Sequence, residues 1–118
     1  MASAYSILAQ LCPANTNNAD FLAPTTGHSF VVSTLVVCNI TSTAATCSVW
    51  ARKAGSGSTA SPGNTQIIAG VSVPANTTLS FSLGITLVGG VAGVGDVITV
   101  NSGTSNAINF VAFGSDNT

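Results

Sequence analysis

Charge is what this chain has least of. Two basic and three acidic side chains stand among 118 residues, Glu is absent, and charged residues make up 4%, against about 25% in an average soluble protein. A net charge of −1 offers no cluster of Lys and Arg to displace counterions from phosphates, which argues against direct nucleic-acid binding. Intrinsic disorder is excluded for the opposite reason: disordered chains pair low hydrophobicity with high net charge, and this chain is 46% hydrophobic. The surface helix formers Glu, Lys and Gln are absent or scarce, and no stretch repeats apolar residues at i, i+3, i+4. Long apolar runs are missing too. The longest, Gly84 to Gly95, has 12 residues and five Gly, well short of the roughly 20 needed to span a bilayer as a helix. The start, MASAYSILAQLCPA, has no basic leader, has a short apolar stretch and ends in no A-x-A site, so export by the general secretory route and membrane residence are both unexpected. Three Cys is an odd number, which suits structural thiols in a reducing compartment better than a disulfide framework.

What the chain has instead is neutral polarity. Ser, Thr and Asn supply 40 of the 118 residues. Hydroxyls and amides desolvate at far lower cost than ions, so a face built from them can be buried against a partner without stranding charge. Short runs rich in Val, Ile, Thr and Phe predict strands at Tyr5–Cys12, Asp20–Ala23, Ser29–Thr41, Ala45–Lys53, Gln66–Ala69, Thr77–Ile85, Asp96–Asn101 and Asn106–Phe113. Turn clusters separate them. About eight strands in one short chain predict an all-β, single-domain antiparallel β-sandwich, jelly-roll-like, with an immunoglobulin-like sandwich as the alternative. Residues 1–12 are expected as an N-terminal arm or edge strand and residues 13–118 as the sandwich domain.

Periodicity assigns faces to two of these strands. In TTLSFSLGI, Thr77, Leu79, Phe81, Leu83 and Ile85 share one face, and Thr78, Ser80, Ser82 and Gly84 the other. In SFVVSTLVVCNI, Phe30, Val32, Val36, Cys38 and Ile40 share one face, while Val31, Leu35 and Val37 occupy the other, so both faces call for burial. A hairpin from this strand into ATCSVWARK, turning at Ser42 and Thr43, would set Cys38 opposite Cys47, Val36 opposite Val49, Val37 opposite Ser48 and Leu35 opposite Trp50. Val31, Leu35, Val37 and Trp50 would then form one patch, covered by the opposing sheet or by a neighbouring subunit.

The inventory for chemistry is short. His28 is the one imidazole; Cys12, Cys38 or Cys47 with Asp20 or Asp96 would be its partners in a nucleophilic arrangement, but the cysteines sit in apolar strands, where Cys acts as a small hydrophobe. No C-x2-C or H-x3-H spacing points to zinc. Cys38 and Cys47 read as two buried thiols rather than a disulfide. Asp20, Asp96 and Asp116 are far apart, and Asp96 reads as a turn residue opening a strand. GGVAGVG lacks the Lys-Ser/Thr of a phosphate loop. The sequons at Asn39 and Asn76 are expected by chance in so Asn- and Thr-rich a chain. Arg52 and Lys53 are the two cations; Arg52 shares the strand face of Trp50, and the pair is read as meeting an acidic site on a partner or marking an exposed strand end. No catalytic residue, cofactor or metal is expected.

Taken in order, VVSTLVVCN, VWARKAG, VPANTTLSFSLGITL, GDVITV and NFVAFGS resemble the small β-rich accessory virion proteins of tailed double-stranded DNA phages, notably cyanophages. The similarity runs from about Tyr5 to Ser115 and is a pattern of strands and turns; the Gly-rich stretch Val88 to Gly95 departs from it, being longer than the turn expected there. The resemblance implies a capsid cement or decoration protein, assembled in the host cytoplasm onto the phage head surface. Its expected partners are the major capsid protein and itself, as a homotrimer, without direct contact to nucleic acid or membrane. The residues expected at contacts are Tyr5, Ile7 and Leu8 in the N-terminal segment, the patch of Val31, Leu35, Val37 and Trp50, then Arg52, Lys53 and the loop Gly55 to Asn64. The alternatives are a tail, neck or fibre component, or a glycan- or receptor-binding β-domain using Trp50 or Tyr5.

Overall fold

The computed structural model describes residues 3–53, 66–90 and 95–118. Eight strands are present: β1 (Ser3–Leu11), β2 (Ala19–Leu22), β3 (Ser29–Asn39), β4 (Ala45–Arg52), β5 (Gln66–Val73), β6 (Thr78–Val88), β7 (Val97–Ser102) and β8 (Ile108–Asn117). They build two four-stranded antiparallel sheets, ordered β1-β8-β3-β6 and β2-β7-β4-β5. Successive strands change sheet at every connection except β4 to β5. This is the strand order of the eight-stranded jelly roll, with its two interlocked Greek keys, and not the immunoglobulin order. The N-terminal segment is an edge strand of the chain's own first sheet, paired to β8 from Ser3↔Asn117 to Leu11↔Phe110.

Alternation explains the core. Inward residues of the interior strands, Leu35 and Val37 of β3, Phe110 and Ala112 of β8, Val49 of β4 and Val100 of β7, are each 1% exposed or less. Phe21 of β2 tilts against Phe110, ring centroids 6.1 Å apart. The β6 expectation holds, since Leu79, Phe81, Leu83 and Ile85 turn towards the interior and Thr78, Ser80, Ser82 and Gly84 towards solvent.

The expected hairpin between β3 and β4 is not formed. The two strands lie in different sheets: Cys38 faces Thr78 and Asn109, and Cys47 faces Val71 and Ser102. A two-residue hairpin turn needs positive φ at its centre, which Ser42 and Thr43 do not adopt; among described non-glycine residues that conformation belongs to Asn76 (φ 53) and Asn106 (φ 56). Asn39 instead turns the chain from one sheet to the other. Fully buried, its side-chain amide donates to the carbonyls of Thr43 (2.8 Å) and Val73 (3.0 Å), and its Oδ1 accepts from the amide (2.9 Å) and hydroxyl (2.7 Å) of Thr41.

A line of β-bulges crosses the first sheet. Register shifts occur between Ile7 and Ala9 in β1 and between Val32 and Thr34 in β3; against β8 the extra residues are Leu8 and Ser33, whereas against β6 the longer strand is β6, which sets Leu83 and Gly84 against Ser33. An extra residue reverses the face of everything after it. Val31, before the bulge at Ser33, therefore points outward, whereas Leu35 and Val37, of the same parity, point into the core.

Candidate functional site

The outer face of the first sheet is the feature that asks for a function. Register sets its side chains in three rows: Tyr5, Ser115, Val31 and Thr86; Ile7, Phe113, Thr34 and Ser82; Gln10, Val111, Val36 and Ser80. Tyr5 is 71% exposed, Ile7 56% and Val31 38%, and Val36, Val111 and Phe113 are half-buried. The Tyr5 hydroxyl bonds Ser33, whose own hydroxyl donates to the Phe113 carbonyl at 3.2 Å, so the ring lies across β8 from edge strand to β3. Among the described residues of this face there is no Asp, Lys, Arg or His. It is a face of apolar side chains bordered by hydroxyls, the composition that desolvates at least cost.

The second sheet's outer face is organised differently. Arg52, 5% exposed, reaches along the sheet so that its guanidinium donates to Asp20 Oδ1 at 2.8 Å and to Thr99 Oγ1 at 3.1 Å, while the Thr99 hydroxyl donates to the same carboxylate oxygen at 3.0 Å. The Asp20 side chain is 65% exposed, so water reaches one partner of this ion pair and not the other. Trp50 shares this face with Arg52, as the strand period requires, and lies opposite Thr99. It is 4% exposed.

The expected contact patch is thus divided. Leu35 and Val37 belong to the core, Val31 to the outer face of the first sheet, and Trp50 to the second sheet. Leu35 and Val37 present almost no surface because they lie in the core between the sheets, Trp50 is buried on the outer face of its own sheet, and Arg52 is held by Asp20. Tyr5, Ile7 and Val31 do share an exposed face; Leu8, at the β1 bulge, is half-buried and packs on the core, and Lys53 is exposed just after β4. The loop Gly55 to Asn64 lies outside the described residues. The sequence reading passed over Val36, which the Ser33 bulge turns outward, and Val111 and Phe113, which the regular alternation of β8 places beside it.

His28 and Asp96 have structural partners. His28 Nδ1 lies 2.9 Å from Asp116 Oδ1, joining the turn before β3 to the end of β8, so its partner is a carboxylate and not a thiol. Asp96 accepts the Val88 amide at 2.9 Å and donates its own amide to the Val88 carbonyl at 3.0 Å, closing the connection from β6 to β7. All three cysteines are free: Cys47 is buried, and Cys12 and Cys38 are half-buried, Cys38 on the outer face of β3 rather than in the core. Burial pushes the Cys47 thiol up to about 11. An open groove of about 420 Å³ lies where β1 ends, lined by Gln10, Leu11, Cys12, Asn109, Phe110 and Val111. Among the described residues, no three His, Cys or Asp side chains gather as a metal site would require. No protein-family model matches the chain, and no curated protein matches it.

Proposed function

We propose that this protein is a non-enzymatic structural protein of a phage particle, a cement or decoration protein that sits on the head and bridges major capsid subunits. The observation that carries the reading is the uncharged outer face of the first sheet, with Tyr5, Ile7, Val31, Val36, Val111 and Phe113 on one rigid platform. Covering the half-buried Val36, Val111 and Phe113 yields about 1 kcal/mol apiece and the exposed Tyr5, Ile7 and Val31 about 1–2 kcal/mol apiece, and association costs roughly 4–15 kcal/mol in lost freedom. One copy therefore binds weakly, and a shell of copies that each touch several subunits binds firmly through multivalency. The jelly roll supports the reading as a scaffold that recurs in capsid and lectin domains, an argument by analogy of fold.

The test is co-sedimentation with phage heads that lack this protein. The expected outcome is that the protein pellets with heads to a fixed ratio, while Ile7→Lys, a change at an exposed edge-strand position, folds normally and stays in the supernatant. Wild-type protein that ignores heads would overturn the cement reading and direct attention to tail, neck or fibre. A glycan-binding reading rests on Tyr5 alone, since Trp50 is buried; it predicts a glycan-array signal that Tyr5→Ala removes.

A further inference from the structure

We infer that two copies of this chain pair through the outer edge of β6, continuing the first sheet from one molecule into the next. Among the described residues β6 has a single hydrogen-bonded neighbour, β3. Its other edge presents backbone N–H and C=O groups, and natural edges of this kind are blunted by charge, proline, a bulge or short length. This one spans 11 residues, Thr78–Val88, with no charged residue and no proline. A second observation concerns the side chains. Leu79, Phe81, Leu83 and Ile85 face the interior, yet all four remain half-exposed, where their counterparts on β3 and β8 are buried to 1% or less. The sandwich is unfinished on this side, in its backbone and in its core together.

The occupant that fits is a second copy. An open strand edge takes another strand, and a two-fold contact requires a segment complementary to itself. Antiparallel pairing of β6 with β6 about such an axis sets Thr78, Ser80 and Ser82 among hydroxyls on one face and Leu79, Phe81 and Leu83 among apolar groups on the other. Cross-strand pairs of both kinds are favourable, and no like charges meet at the axis. The left-handed Gly84 (φ 61) ends the regular edge and limits the pairing stretch to Thr78–Leu83. The inference is independent of the capsid reading, because it uses the edge of the sheet and not its outer face.

Sedimentation equilibrium of the full chain is the test, with amide hydrogen exchange on the same sample. The expected mass is twice 11.6 kDa, and every amide from Thr78 to Leu83 is protected; in a monomer only alternate amides of this stretch, those turned to β3, would be. The double variant Ser80→Lys with Ser82→Lys puts like charges at the axis on solvent-facing positions, and should give the 11.6 kDa species with an unchanged far-UV spectrum. Ile7→Lys should leave the dimer intact. A wild-type monomer or trimer, alternating protection along β6, or a dimer that survives the double lysine variant would overturn the inference. A monomer that still pellets with phage heads would do so while leaving the cement reading standing.

Discussion

Replacing Asn39 by Ala removes the group that joins three segments of chain at the corner between the sheets. The amide makes four hydrogen bonds, two donated to the Thr43 and Val73 carbonyls and two accepted from Thr41. Thr41 is only half-buried and Thr43 is exposed, so water replaces their bonds and each costs about 0.5–1 kcal/mol. The bond to Val73 is fully buried, and leaving that carbonyl without a donor costs about 1–3 kcal/mol. The sum is about 2.5–6 kcal/mol, a large share of the roughly 5–15 kcal/mol that holds a domain of this size together. Urea unfolding followed by Trp50 fluorescence and far-UV circular dichroism should place the midpoint lower by about 1–3 M at an unchanged slope. Asn39→Asp keeps the acceptor, loses both donors and buries a carboxylate. Burial raises that carboxyl in the folded state above its unfolded value, so its contribution is most favourable below the unfolded value and is lost as pH rises through the folded one. The deficit of this variant should therefore shrink on going from pH 7 to pH 4. A loss below about 1 kcal/mol for Asn39→Ala would refute the corner argument.

Three other places in the fold are probed by substitution, pH or labelling. Gly114→Ala would bring a Cβ to 1.9 Å from the Val31 carbonyl oxygen, where the atom that must move is backbone; a cost at or above the roughly 1–3 kcal/mol of ordinary overpacking is expected, and a variant with wild-type melting temperature would contradict the tight approach of β3 and β8 there. Burial raises the Cys47 thiol from 9.0 to about 11, so the stability tied to it is complete below pH 9 and is lost as pH rises through 11, by roughly 1.4 kcal/mol per unit in that window. Thiol labelling at pH 8 should reach Cys12 and Cys38 in the native protein and Cys47 only after unfolding; equal rates at all three would refute its burial. Asp20→Asn should cost about 1 kcal/mol or less, because water screens the exposed carboxylate, whereas Arg52→Ala, which vacates a buried position and strips Thr99 of a partner, should cost about 2–3 kcal/mol by chemical denaturation. Equal losses would mean that the ion pair, and not the buried guanidinium, governs this face.

Much of the architecture was legible because a strand's alternation is local. TTLSFSLGI sorts its residues by parity alone, and Arg52 was assigned to the face of Trp50 on the same ground. The contact patch was not legible. Val31, Leu35 and Val37 have one parity in the sequence, and the bulge at Ser33 separates them onto opposite faces. Nothing in SFVVSTLVVCNI marks Ser33 as the extra residue; its role depends on the register of β8, which lies some 80 positions further on. Arg52 is misread as a surface cation, and the corner at Asn39 goes unseen, for a related reason. Each is polar in an apolar strand, which reads as a chance sequon or a surface cation until Val73, Asp20 and Thr99 are brought beside it.

By itself the sequence determined that this protein is an all-β domain of about eight strands with a neutral, hydroxyl-rich surface, because strand period, turn residues and composition act over a few neighbouring positions. Tertiary structure decided which strands pair, which apolar residues are consumed by the core, and which remain on an open face or edge. Pairing is a choice among strands of nearly equal apolar character, made by burying the best combination of faces from the whole chain at once. β3 and β4, adjacent in sequence, went to opposite sheets because Asn39 supplies a corner between them and Ser42 and Thr43 do not adopt the backbone of a tight hairpin.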